Sequence, residues 1–558
     1  MADCCGHDEG GWDYFDLGSH HRPVTTASED AQTWFDRGLA WTYGFHHEEA
    51  RRCFERAAEA DPDCAMAHWG IAYVVGPNYN YAWDDFDPAG LISSLSTARE
   101  ARAEAERLAP GATEAEQALI ATLAARYPVV DATEGDPGWC EGHAAAMRTA
   151  YRRFSDDLDV AALFAESLMN VTPWQMWDLP TGQPAPGAHT LECREVLERA
   201  LQAPESRRHP GILHMYIHLM EMSPTPEAAS EAGALLSDLV PDAGHLRHMP
   251  SHIDVLTGDY RRVIDANQAA YEADQRYVDV GGVMNSYTLY RCHDLHFLVY
   301  GAMFVGDRRI ALDAAERLVA AIPESLLRVE SPPMADLLEA FVPVRVHVLI
   351  RFGMWEELIS EPIPEDCELY AATTAFVHYG RGVAYSATGR VAEAEREREL
   401  FRAAVARVPA TRTLFNNTVA DLLAVASEML DGELRYRRGE YDEAFAALRR
   451  SIDLDDHLPY DEPWGWMQPT RHAYGALLVE QGHLEEAAAV YRADLGLDDS
   501  LPRALRHPNN VWSLHGYHEC LSRLGHDEEA AAIKVDLDAA QAQTDVPIVA
   551  SCACRTIA

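Results

Sequence analysis

Residues 31–64 read AQTWFDRGLAWTYGFHHEEARRCFERAAEADPDC, and this stretch decides the fold. Trp34, Gly38 and Trp41 fall on one face of a first amphipathic helix. Gly44 to His46 make a turn, Ala50, Phe54 and Ala57 face back from a second helix, and Pro62 closes the unit. Small residues stand where the two helices touch, as close helix packing requires. The same grammar recurs with a glycine at each turn, at Gly258-Asp-Tyr, Gly306-Asp-Arg, Gly353-Met-Trp and Gly389-Arg-Val. It continues at Gly439-Glu-Tyr, Gly482-His-Leu and Gly525-His-Asp. Glu-Ala pairs follow several of these turns, as at Glu393-Ala394, Glu443-Ala444 and Glu486-Ala487. No strand-type alternation longer than a few residues competes with this pattern.

The 34-residue unit resembles the tetratricopeptide repeat, whose helix pairs stack into a continuous array. The expected fold is therefore all-α: a right-handed superhelix (an α-solenoid) of antiparallel helix pairs. The expected organisation is an N-terminal tail over 1–30, a continuous superhelix over 31–535 and a C-terminal tail over 536–558. Within the superhelix the N-terminal repeats take 31–125, the histidine-rich central repeats 190–320 and the C-terminal repeats 370–535. Loops rich in Pro, Gly, Asp and Trp interrupt it at 75–88, 127–139, 174–189, 323–333 and 458–469. Such loops on a rigid scaffold are where sites are built.

The chain has 558 residues, 46 of them basic and 89 acidic, for a formal charge of −43. Nothing in it offers a basic stripe for phosphates, which argues against a nucleic-acid partner and against an anionic membrane surface. Lys534 is the only lysine, so no lysine-dependent chemistry is expected. The eleven cysteines are odd in number and mostly scattered, which suits a reducing compartment. The N-terminus lacks the basic and apolar regions of a signal peptide, and no apolar run approaches the ~20 residues of a membrane helix. A cytoplasmic protein is expected.

Histidine is where the sequence departs from a generic repeat. The chain holds 25 histidines, and six of them fall within His209–His252: His209, His214, His218, His245, His248 and His252. His293 and His296 follow. Spacings of four and seven place His214, His218 and Glu221 within roughly 40–60° on one helix face. His245, His248 and His252 repeat the pattern with spacings of three and seven, as do His293, His296 and Tyr300. Pro250 is tolerable only in a first helical turn, so that helix is expected to start near His248 with His245 at its lip. Counted back from Gly258 and Gly306, and from Pro224 taken as the turn of the earlier unit, these residues occupy overlapping positions on three consecutive first helices. The resemblance to tetratricopeptide arrays implies that such positions point into the concave groove, so the three polar faces are expected to converge on one volume.

Imidazole and carboxylate in one small volume are ligands of iron, copper, zinc or manganese. The expected metal ligands are His214, His218, His248 and His252, while Glu221, His245, His293 and His296 orient ligands or move protons. The surplus of ligands also admits a second metal or histidine acid–base chemistry. His214-to-His218 carries Met215 where the zincin motif has Glu, which argues against a peptidase. The loop Tyr460–Trp466, with two indoles and carboxylates, either packs between repeats or walls the groove and supplies Glu462 as an acid or base. Gly76–Asn80 and Trp174–Trp177 are candidate caps for the same cavity. Cys4, Cys5 and His7 at one end, and Cys552 and Cys554 at the other, are candidate soft-metal ligands. Cys292 is expected to pack between helices.

Several segments together are similar to a group of bacterial tetratricopeptide proteins with a histidine-rich motif. They are Trp34–Gly38, Gly44–Ala50, Asp61–Ala67, Trp69-Gly70, Gly76–Asn78, His209-Pro210, His214–Glu221, His245–Ile253, His378–Gly382 and Glu462–Trp464. The resemblance covers most of the chain and implies an architecture and a shared site, not a reaction. The function expected from these residues is a metal-dependent enzyme acting on a small molecule in the groove. Redox chemistry at iron or copper is placed ahead of hydrolysis at zinc. The alternative is a non-catalytic scaffold that uses the same groove to bind a protein or peptide partner.

Overall fold

The computed structural model describes residues 14–129, 132 and 134–555. Helix pairs follow one another along it, from Glu29–Tyr43 with His47–Ala60 to Val511–Leu524 with Asp527–Gln541. The only strands among the described residues are two hairpins with two-residue arms, Trp177–Asp178 with Gln183–Pro184 and Thr413–Leu414 with Asn417–Thr418. The chain is an all-α, tetratricopeptide-like array, as the repeat grammar requires.

Two devices recur. The turn glycines end their helices in the left-handed conformation, with φ of 80° at Gly258, 84° at Gly306 and 82° at Gly482, which a side chain would disfavour. At the first turn this role passes to Phe45, at φ 56°, while Gly44 stays at φ −94°. The second device is an aromatic ring clamped between glycines of consecutive repeats. A Cβ on Gly38 or Gly70 would lie 2.7 or 2.5 Å from the Phe54 ring, and on Gly475 or Gly516 2.5 or 2.4 Å from the Tyr491 ring. Each ring reaches the backbone of two neighbouring first helices, which fixes the stacking distance between units.

The structure departs from the expected boundaries where polar groups tie the chain ends down. Residues 14–28 do not trail: Phe15 and Leu17 join the core, and Arg22 is buried against Asp157 and Asp159 at 2.7 and 3.0 Å. At the other end, the last helix runs to Gln541, and Ile548, Ala550 and Cys554 are buried beyond it. The Asp545 carboxylate accepts from the backbone N–H groups of Arg308 and Arg309 at 2.7 and 3.0 Å, capping the start of the helix Arg308–Ala320 as an anion should. Pro250 also behaves differently from expectation. A short helix Gly244–His248 precedes it and Met249 keeps helical angles, so Pro250 opens a second segment, Pro250–Thr257, on the same line. His245 therefore lies inside the first turn and not at its lip.

The array curls far enough for distant repeats to meet. Trp512 Nε1 donates to the Met303 carbonyl at 2.8 Å, and the Ser331 hydroxyl donates to Asp87 at 2.6 Å. Curling brings the loop 458–469 over the central repeats. No helix among the described residues is long and apolar enough to cross a membrane.

Candidate metal centre

The centre starts on the helix Pro210–Glu221, which His209 caps by accepting the Ile212 N–H at 3.2 Å. His214, His218 and Glu221 lie on its inward face and are buried. The Tyr43 backbone carbonyl, left over at the end of the helix Glu29–Tyr43, stands 2.6 Å from His214 Nδ1. A carbonyl only accepts, so Nδ1 carries the proton and Nε2 presents its lone pair. His218 Nδ1 lies 3.0 Å from Glu221 Oε1, which accepts from it when the carboxylate is ionised. Both Nε2 atoms are buried and make no hydrogen bond, and neither ring nitrogen of His245 makes one. One ligand atom from each of His214, His218 and His245 lies within 4.8 Å of the others. An outer acceptor on one ring nitrogen and a bare second nitrogen is how metal-binding histidines are oriented.

A second trio is built from the next two first helices. His248 Nδ1 faces Asn267 Oδ1 at 2.6 Å, and Asn267 Nδ2 is committed to the Val263 carbonyl at 2.8 Å, which fixes the amide orientation. His252 Nδ1 faces Glu221 Oε2 at 2.6 Å and Glu462 Oε2 at 2.9 Å. His293, with an unpartnered Nδ1, completes the group, and the three again offer ligand atoms within 4.8 Å of one another. His248 Nε2 and His252 Nε2 are 2.7 Å apart.

Burial sets the charge state. It pushes the His214 imidazole down to about 3 and that of His248 to about 4. His218, His245, His252 and His293 are held well below the ordinary imidazole range for the same reason, with neighbouring histidines adding to it. These rings are neutral near pH 7, the form a metal binds. Burial drives the Glu221 and Glu462 carboxyls upward, with Asp461 adding to the first and Glu221 to the second. Among the described residues, the ion-pair partners of Glu221 and Glu462 are histidines. The pocket is rich in acceptors and short of cations.

The expected residues are thus regrouped. His214 and His218 go with His245, and His248 and His252 go with His293, while Glu221 touches both trios and Glu462 reaches the second. His296 stands apart from them, edge-on to Phe341 at 5.3 Å. Phe45, Tyr43, Asn267 and Tyr290 were not singled out from sequence. The Phe45 ring lies 4.6, 5.9 and 5.7 Å from His214, His218 and His245, and its place in a turn gave the only hint. The Tyr43 contribution is a backbone atom, to which no sequence pattern points.

A cavity of about 350 Å³ opens onto His293 and Glu462. Tyr79, Trp174, Tyr290 and Phe415 supply its aromatic walls. The first two lie 4.9 and 5.7 Å from His218, and Tyr290 lies 4.7 Å from His245. The loops 75–88, 174–189 and 458–469 all contribute to it, including Asn80 and Trp174 from the expected caps. Two other candidates close on themselves. Asp159 accepts from His20, His209, Tyr43 and Arg22 at 3.0, 3.2, 2.7 and 3.0 Å, leaving a saturated structural knot. Cys552 and Cys554 are bonded to each other as a disulfide, and Cys292 is buried in the core. Cys4, Cys5 and His7 lie outside the described residues.

Comparison with protein-family models gives no match, and neither does comparison with curated protein sequences. Among solved structures, the chain is similar to that of Naa15/Naa10 bound to HypK-THB, at 12% identity and a TM-score of 0.21 over 91% of this chain and 70% of that one. It is similar to the P58(IPK) TPR domain, at 12% identity and a TM-score of 0.19 over 81% and 99%. A third is the assembly chaperone of RpL4 (Acl4), at 18% identity and a TM-score of 0.21 over 61% and 99%.

Proposed function

We propose that this chain is a metal-dependent enzyme acting on a small molecule in the aromatic cavity, with redox chemistry at iron or copper placed ahead of hydrolysis at zinc. One observation carries the reading: buried, neutral imidazoles are anchored through Nδ1 to fixed acceptors, so that unpartnered nitrogens converge beside a cavity. A peptide-binding repeat needs an open groove, whereas loops from three parts of the chain fill this one. The surplus of imidazole over carboxylate supports the redox preference.

When bound, the metal supplies a Lewis acid or an electron donor. The chain's own residues do the rest. Tyr43, Glu221 and Asn267 set the ring orientations, the aromatic walls bind and exclude water, and Glu462, on the cavity wall beside Tyr460 and His252, holds or moves a proton. The described cavity lining includes the carboxylates of Asp84, Asp85, Asp461 and Glu462 and no arginine or lysine. That lining favours a neutral or cationic substrate and disfavours phosphates and carboxylates.

Elemental analysis of untagged protein, purified without chelators, tests the reading. A stoichiometric metal that is lost in a folded His214→Ala/His248→Ala variant is expected, and its identity decides between redox and hydrolysis. Protein that carries no metal and takes up none of iron, copper, zinc or manganese would overturn it.

A further inference from the structure

We infer that the centre holds two ions, one on each histidine trio, with Glu221 as the carboxylate that both share in their outer shells. The inference rests on the metalloenzyme reading and adds the number of ions and the residues of each. A single ion takes three or four ligands, and the two trios offer six buried imidazoles. His214, His218 and His245 form one group within 4.8 Å, and His248, His252 and His293 form the other. Among the described residues, His218 and His252 also meet across Glu221 within the same distance, while His214 and His245 join no group with the second trio.

Each trio has its own oriented lone pairs. In the first, two are fixed by the Tyr43 carbonyl and Glu221, and they meet no partner. In the second, the fixed Asn267 amide oxygen holds the proton on His248 Nδ1, so the His248 Nε2 lone pair points at His252 Nε2 across 2.7 Å, while His252 Nδ1 faces the Glu221 and Glu462 carboxyls. A shared proton or a metal ion accounts for so close an approach, and a third imidazole within reach favours the metal ion. His293, whose ring centre is 4.4 Å from that of His248, supplies a third ligand from the cavity side. Glu221 ties the two halves together, with Oε1 on His218 and Oε2 on His252. The facing rings His218–His252 and His245–His248 are 5.5 and 5.8 Å apart, so the two ions are close neighbours. Only the second trio contributes a residue to the cavity lining, which assigns the substrate-facing ion to His248, His252 and His293 and a buried, tuning ion to the other three.

The experiment is titration of metal-stripped full-length protein with Co(II), followed by visible absorption and by metal content after gel filtration. Wild type should take up two equivalents, His214→Ala one, His293→Ala one and the double variant none. His245→Gln and His248→Gln probe the same two trios with less loss of volume, and near-UV circular dichroism identifies the variants that keep the native fold. A single equivalent in wild type overturns the two-ion inference while the metalloenzyme reading stands. Two equivalents that are both lost in either single variant overturn the division into trios. No uptake of Co(II), Zn(II), Fe(II) or Cu(II) by native protein overturns the metalloenzyme reading itself.

Discussion

At the scale of single residues, the centre depends on acceptors as much as on ligands. Glu221 accepts from two imidazoles at once, one on each oxygen. In Glu221→Gln one oxygen becomes an amide N–H₂ facing an N–H, so one ring loses its orientation. Metal affinity should fall roughly 10- to 100-fold with little change in unfolding midpoint, which competition with a chromophoric chelator measures directly. Phe45 is a structural counterpart. Its buried ring backs three histidines, and Phe45→Ala should cost about 3–5 kcal/mol of stability in urea unfolding. The histidines themselves were legible because helical spacing announces a shared face. Their partition into trios was not, because it turns on which nitrogen meets which acceptor, and one of those acceptors is a peptide carbonyl.

At the scale of elements, the turn glycines were readable and the chain ends were not. The turn glycines declare themselves through a local preference that needs no tertiary contact. The N-terminal segment is held instead by groups remote in sequence. Glu116, which closes a capping box with Thr113, also accepts from the Thr25 N–H and hydroxyl at 2.7 and 2.6 Å. Burial alone would raise the Glu116 carboxyl, but these hydrogen bonds hold it below its ordinary value of 4.5. A carboxyl depressed in the folded state stabilises above its unfolded value, and that contribution is lost as pH falls through the folded one. Stability of the wild type should therefore drop below about pH 4.5 more steeply than that of Glu116→Gln. Denaturant titrations at pH 7 and pH 4 compare the two, and equal slopes would show that the anchor is not ionic. Pro250 teaches the opposite lesson: a local rule fixed its position in a helical first turn, but not that another helical turn lies before it.

At the scale of the whole molecule, closure of the array makes the centre. The loop 458–469 was expected either to pack between repeats or to wall the groove, and curvature decides this. Curvature is a sum of small rotations per repeat that no single motif encodes. The C-terminal segment follows the same logic. Ser551 donates to the His472 carbonyl at 2.9 Å, and Arg351 donates to the Ser551 carbonyl at 3.1 Å. A chain ending at Thr544 loses these bonds and the burial of Ile548, worth roughly 1.5–3 kcal/mol by itself. Its last repeats should unfold at lower denaturant than the centre, as a separate step in tryptophan fluorescence near Trp512, while metal content is retained.

Glu462 reaching His252 has a consequence for how the protein comes into being. The acceptor for His214 is made early, at residue 43, and the carboxylate beside His252 is made late, at residue 462. A nascent chain exposes its histidines for most of its synthesis before the wall that encloses them exists. Under the two-ion proposal, the ions would enter either a half-built centre open to competing metals or, once the ribosome has passed that loop, through the cavity beside His293. On that proposal, fidelity of loading would be tied to the order in which the repeats emerge.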